Sequence, residues 1–398
     1  MKPHVRIVGV LLVVLASGNA SAQETPGEAP KPSRLDMANI FREGAFLLSM
    51  GKAEEALAKF TEVLKADPAE TTVLYSSAVA LSQLGKKAES IAALKKVVES
   101  GEVASFWSVE NEPGLQAVRN EPGYKDLFKN RMKLLKGVNA AREKRIQALG
   151  GAAWTIVKLD KLPVWVASNA EAAVRDPIVD LLRRMAEALI RDLFKVKPEA
   201  AIVVFLATRS EDFSRDFGPA WGTIPTYFAL KASLPVEAGG ERAHLTREFT
   251  YALHAADMEA AKQAHPYWVV EGFGRLYEDF RFEEKSGTLL GNFDLKLTAA
   301  FQEVMNKQPE RCIAWKTLVD PASNTFNDRQ TQMMSLVAVK YMFTYLQEKG
   351  ALELFYRTLR KKWKDDPTGV KALEETLGKT FDEAEADWKA WVLGLKKE

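Results

Sequence analysis

The chain has 398 residues, with 55 Lys and Arg against 53 Asp and Glu, four His and a single Cys. A balance this close to neutral argues against nucleic acid as the main partner. One cysteine, Cys312, forms no internal disulfide, so stability has to come from burial.

The N-terminus has the pattern of a secretory signal peptide. Lys2 and Arg6 precede an apolar run from Ile7 to Ala16, and a small-residue stretch ends at Ala20-Ser21-Ala22. This predicts cleavage after Ala22 and an exported chain, periplasmic or secreted. The apolar run is about half the length needed to span a bilayer, and no transmembrane segment is expected in the mature chain. Its removal leaves 53 basic and 53 acidic side chains. Residues 23–34, QETPGEAPKPSR, are polar and proline-rich and suit a disordered leader.

From there the sequence repeats itself. Gly44, Leu47, Gly51, Ala56, Phe60, Val63 and Pro68 recur 34 residues on as Ala78, Leu81, Gly85, Ser90, Leu94, Val97 and Glu102. Small residues where two helices cross, followed a turn later by a larger apolar residue, are what a helix hairpin of this period needs. The pattern resembles the tetratricopeptide (TPR) repeat over two units, roughly 37–70 and 71–104. Two units leave an apolar face uncovered. The segment 106–128, with Trp107, Leu115, Tyr124 and Phe128, is available to cap it within a helical region 35–130, and a charged helix over 131–150 carries the chain onward. The groove of such a stack either binds a peptide or partner protein or only docks against the next domain.

Gly150-Gly151 marks a boundary, after which the periodicity changes. WTIVKL (154–159), VWVAS (164–168) and AIVVFLA (201–207) read as strands, and 177–194 has helical spacing. GTIPTYFAL (222–230) is a further strand candidate that Pro225 confines to an edge or bulge. Beyond Gly239-Gly240 the pattern is almost wholly helical. Strands first and helices afterwards predict an α+β domain over 151–396, a small mixed sheet followed by a mostly helical part.

On a helix starting near Glu241, residues Leu245, Phe249, Ala252, Leu253 and Ala256 share one apolar face. His244, Arg247, Glu248, Tyr251 and His254 gather on the other. A second helix follows, in which Trp268, Phe273, Leu276, Tyr277 and Phe280 form an apolar stripe expected in the core. The run 333–346, MMSLVAVKYMFTYL, predicts a buried helix that Lys340 interrupts, and RTLRKKWKDD a solvated helix end.

Two stretches carry a resemblance to a known family. Arg247-Glu248-Phe249-Thr250-Tyr251-Ala252-Leu253 is similar to the H-E-x-T-H-x-L motif of the peptidase MA-like gluzincin metallopeptidases. Pro266-Tyr267-Trp268-Val269-Val270-Glu271-Gly272-Phe273-Gly274-Arg275-Leu276-Tyr277 is similar to their P-x-W-L-x-E-G-x-A-x-Y, with the tyrosine one residue later than the pattern has it. The resemblance places Glu248 at the general base and Glu271 at the third zinc ligand, whereas Arg247 and Tyr251 stand where the family has its two zinc-binding histidines. An arginine stays protonated and has no lone pair for a metal. A tyrosine ligates only as phenolate, far from its usual protonation near neutral pH. The resemblance therefore implies a degenerate zinc site, with no catalytic residue beyond a relic base and no cofactor.

The reading that follows is an exported, non-catalytic pseudo-peptidase binding a protein or peptide through the repeat groove or the vestigial cleft. The alternatives are a working zinc enzyme with a site rebuilt from His244, Glu248 and Glu271, and a purely structural protein locked into an assembly by its repeats. Loss of a cation also predicts its replacement. Arg247 should bridge to Glu271, with the Tyr251 hydroxyl as an added donor, clamping the two helices in place of zinc.

Overall fold

A computed structural model of the chain describes residues 34–68, 70–99, 109, 112–129, 131–198, 201–209, 212, 229–233, 240–326 and 328–395. The signal peptide, the leader up to residue 33, Trp107 and the 222–228 stretch with Pro225 lie outside the described residues. The chain divides into two compact units, the first comprising Met1–Ala153 with Glu211–Thr226 and the second Trp154–Ser210 with Tyr227–Glu398.

The first unit begins with two helix hairpins, α1 (Arg34–Ser49) with α2 (Ala53–Ala66), and α3 (Thr71–Gln83) with α4 (Lys87–Glu99). Their turns are copies of one another. Gly51 and Gly85 adopt φ of 77° and 72°, a left-handed conformation that costs glycine little. The amide of Lys52 donates to the Leu47 carbonyl at 3.0 Å, and the amide of Lys86 to the Leu81 carbonyl at 2.9 Å. The small residues at the crossings are needed as small: a β-carbon on Gly44 would stand 2.7 Å from the Phe60 ring. Phe60 and its counterpart Leu94 are both buried.

The segment after the repeats packs on them. A 3-10 turn, Pro113–Leu115, lies against α3, where a β-carbon on Gly114 would meet Val79 at 2.4 Å. Leu115, Val118 and Tyr124 are buried, the last on α5 (Pro122–Lys129), whose hydroxyl donates to the Val109 carbonyl at 3.1 Å. Helix α6 (Arg131–Gly150) closes the unit, and Gly151 follows with φ 57°.

The second unit is α+β. Strands β1 (Thr155–Lys158), β2 (Val164–Ser168), β3 (Ile202–Ala207) and β4 (Ala229–Ser233) form a mixed sheet in that order, β1 antiparallel to β2 and the rest parallel. Every residue of β2 and β3 is buried, consistent with their continuous apolar runs. Between them, α7 runs from Ala172 to Leu189 and ends in a π turn, Ile190–Phe194. The spacing placed this helix's start at Pro177, but the helix begins at Ala172 and Pro177 sits inside its second turn, where it leaves the Ala173 carbonyl without the amide that would otherwise bond it.

Helices α8 (Gly240–Ala261) and α9 (Tyr267–Leu276) follow, then α10 (Leu295–Lys307), α11 (Trp315–Val319), α12 (Gln332–Glu348), α13 (Leu352–Lys362), α14 (Val370–Leu377) and α15 (Phe381–Gly394). The almost wholly helical run expected here is interrupted by one hairpin of β5 (Phe280–Phe282) and β6 (Leu289–Gly291), each too short to give an alternating pattern. Phe280 therefore lies buried in a strand, while the other four residues of the predicted stripe are buried on or just after α9. Gly272 lets α9 approach α12, since a β-carbon there would stand 2.0 Å from the Phe343 ring. Among the described residues no helix is long and apolar enough to cross a membrane.

Candidate functional site

The apolar face of α8 is where the sequence puts it, with Leu245, Phe249, Ala252, Leu253 and Ala256 all buried. Its other face changes character along its length. His244 is exposed and Arg247 and Glu248 are half-buried, but Tyr251 and His254 are buried. The reason is α9, which folds back over the second half of α8 and covers both rings.

This packing brings Tyr251 and Glu271 together across the two helices. The Tyr251 hydroxyl donates to Glu271 Oε2 at 2.7 Å, and the Tyr267 hydroxyl donates to Oε1 at 2.8 Å. Arg275, one turn on along α9, places its Nε 3.4 Å from Oε2. Glu271 is 7 % exposed, and hydrogen bonds of this charge-assisted kind compensate its desolvation. Burial, followed by the neighbouring Glu271 charge, raises the Tyr251 phenol well above its ordinary value, so it stays a protonated donor.

The predicted bridge from Arg247 to Glu271 is not formed. Arg247 instead reaches Glu278, Nη1 to Oε2 at 3.6 Å, lies 3.4 Å from Glu248 Oε1, and sets Nη2 2.9 Å from His244 Nδ1. Glu278 collects two more cations, Arg275 at 3.1 Å and Lys340 at 2.9 Å. Two phenols satisfy Glu271 at short range and Arg275 pairs with it at 3.4 Å, which leaves Arg247 to the more open side of α8. The polar ties from α8 to α9 and the residues just after it thus include Tyr251 with Glu271, Arg247 with Glu278, and the Thr246 hydroxyl donating to the Glu278 carbonyl at 3.1 Å.

These residues do not suit a zinc ion. Of the positions that the resemblance would give to zinc ligands, one carries a guanidinium and another a phenol, held in its neutral form by burial and by the carboxylate of Glu271. His244 lies beside Glu248, Nδ1 to Oε1 at 3.8 Å, but the pair does not combine with Glu271. Among the described residues no group of three or more His, Cys, Asp or Glu is arranged to hold a metal ion.

Sequence reasoning passed over Tyr267, Arg275, Glu278 and Lys340. The first two are four residues either side of Glu271, a helical spacing that brings side chains together and was open to inspection. Lys340, 62 residues from Glu278, carried no such signal. Gly274 also belongs to the site: a β-carbon there would stand 2.0 Å from Cε1 of Tyr251. The resemblance puts alanine at this position, so the larger ring and the smaller residue occur together.

Behind the site lies a second polar cluster. His254 Nε2 and His265 Nδ1 are 2.9 Å apart, and His265 Nε2 is 3.0 Å from Gln263 Oε1. Asp257 accepts from the Tyr356 hydroxyl at 2.6 Å and faces Arg360 at 3.4 Å. Burial pushes the Asp257 carboxyl up to about 6. The sequence placed His254 on the polar face of α8; it and His265 are both buried and paired with each other. No family model matches the chain, and it has no significant match among curated proteins or solved structures.

Proposed function

We propose that this is an exported protein in which TPR-like hairpins precede a gluzincin-like domain that has lost its zinc, and that it binds a protein or peptide without cleaving it. The observation that carries this reading is the 2.7 Å hydrogen bond from Tyr251 to Glu271. The two positions that the resemblance would give to zinc ligands meet across α8 and α9, yet the contact between them is a phenol on a carboxylate. Without a metal, Glu248 has no acidified water to deprotonate, and hydrolysis lacks both its nucleophile and its Lewis acid. What remains is a polar network beside an aromatic surface, where Tyr267 is 41 % exposed and packs edge-on to Phe326 at 5.2 Å. Such a combination of aromatic and polar groups suits recognition of a peptide.

The test pairs elemental analysis of the purified protein with binding and cleavage assays on a peptide library. The expected outcome is peptide retention that Tyr267→Ala weakens and Glu248→Ala leaves intact, with no cleavage in either. Stoichiometric zinc together with peptidase activity lost in Glu248→Ala overturns the reading in favour of a remodelled enzyme using His244, Glu248 and Glu271.

A further inference from the structure

We infer that the hydrogen bond between His254 and His265 is an acid-sensitive latch on the connection between α8 and α9, holding Tyr267 against Glu271 while both rings are neutral and releasing it when either gains a proton. His265 immediately precedes Pro266, the residue that caps α9, and stands two residues before Tyr267. Anything that moves it moves the start of the helix that carries the site.

The direction of the chain of hydrogen bonds is fixed by backbone. Gln263 Nε2 donates to the carbonyl of Arg360 at 2.8 Å, so its Oε1 is the atom facing His265 Nε2 and acts as acceptor. His265 therefore carries its proton on Nε2 and offers a bare Nδ1, which accepts from Nε2–H of His254. By elimination His254 Nδ1 is also bare, and this buried atom has no partner in the fold. A proton added to His265 Nδ1 sets two N–H donors head to head. A proton added to His254 Nδ1 creates a buried cation with no acceptor.

The surroundings oppose both events. The π turn contributes only the Phe194 ring, stacked on His254 at 5.2 Å, and α9 only Phe273 at the same distance. From α13 come Tyr356 and the positive Arg360, and from α8 itself Asp257, whose Oδ2 accepts from Tyr356 and lies beside Arg360. Burial holds His254 well below the ordinary histidine value and His265 down to about 3.

The sign follows by linkage. The closed connection refuses protons that an opened one accepts near the usual pKa of about 6.5, so each histidine favours opening by about tenfold per pH unit below that value. Asp257 acts in the opposite sense, because its raised pKa makes the closed form bind the extra proton. An opening that exposes it as well gives back about tenfold per unit below pH 6.

The latch acts on the site of the preceding reading and rests on it only for what is released. Hydrogen exchange reads it with no partner present, so the two can fail separately. In the full chain, the opening constant of residues 262–271, corrected for intrinsic exchange, is expected to rise at least about 100-fold from pH 6 to pH 4. In His265→Gln, which keeps an acceptor for His254 but does not titrate, the slope is expected to fall by about tenfold per pH unit. An equal slope in the two proteins, or a flat profile in the native one, overturns the proposal. Imidazole ¹⁵N spectra of the native protein test it without any variant: both rings are expected as Nε2–H tautomers at pH 7, and either ring as Nδ1–H, or titrating near its ordinary value in the folded chain, overturns it.

Discussion

The ring of Tyr251 fills the space that a side chain at position 274 would need, with Cε1 2.0 Å from where the β-carbon of an alanine would stand. Both groups are buried and α9 is packed on its far side by Phe343, so neither helix is free to yield. Gly274→Ala is therefore expected to destabilise the fold by about 1–3 kcal/mol in urea denaturation. The same substitution made on Tyr251→Ala should cost nothing further. A double-mutant cycle with additive terms would show that the two positions are not coupled.

Tyr251→Phe keeps the ring and removes the hydroxyl that Glu271 accepts. Tyr267 and Arg275 still serve the carboxylate, so the loss should be that of one hydrogen bond to a charged group, about 1.5–3 kcal/mol. Glu271→Ala strands two phenol donors, removes one of the two carboxylates beside Arg275, and should cost more than either phenol. Midpoints that rank the variants otherwise would mean that Glu271 is not the centre of this network.

Restoring the two histidines tests the family resemblance. In Arg247→His combined with Tyr251→His, with Glu248 and Glu271 kept, zinc at 100 times its dissociation constant should raise unfolding stability by about 2.7 kcal/mol while leaving the native protein unchanged. A double variant that folds and ignores zinc would show that α8 and α9 do not hold the family's spacing.

Asp257 predicts a pH dependence of definite sign. Burial raises its carboxyl to about 6, so the ionised form costs stability above that pH, and the cost disappears as the pH falls toward the ordinary value. Asp257→Asn retains an oxygen for Tyr356 and carries no such cost. It should exceed the native protein by up to about 3 kcal/mol at pH 8 and match it near pH 4, as read by urea midpoints across that range. An advantage independent of pH would assign the effect to packing.

The hairpin turns offer a paired test. Gly51→Ala and Gly85→Ala each force a β-carbon into a left-handed conformation, with nothing within 4 Å to add a clash. Both should cost about 1 kcal/mol, and by similar amounts. Unequal thermal shifts would deny that the two units are equivalent.

What the sequence made legible follows from how local the signals are. The 34-residue period is carried by side chains that pack within a hairpin, and Gly51 and Gly85 appear in the fold as the same turn. Strands β2 and β3 were readable because both of their faces are buried, so their apolar runs are continuous. The pairing of Tyr251 with Glu271 could be anticipated only through the resemblance. The partner of Arg247 could not, because Arg275 competes with it for the carboxylates of Glu271 and Glu278 and the outcome depends on distances of a few tenths of an ångström. The burial of His254 was missed for a related reason: helical periodicity assigns a face, but what covers that face comes from Phe194, Phe273 and Tyr356 elsewhere in the chain.

The segment that packs on α3 through Gly114 and buries Leu115 and Val118 also limits how this architecture can vary. A stack of identical units can lengthen by duplication only while its last surface still looks like the first one. Here that surface is already taken by a piece of different shape, so a duplicated 34-residue unit inserted after α4 would have to carry the terminating piece along with it. Among the described residues the array is closed after two hairpins by steric occupancy, and its reach is set by geometry rather than by copy number.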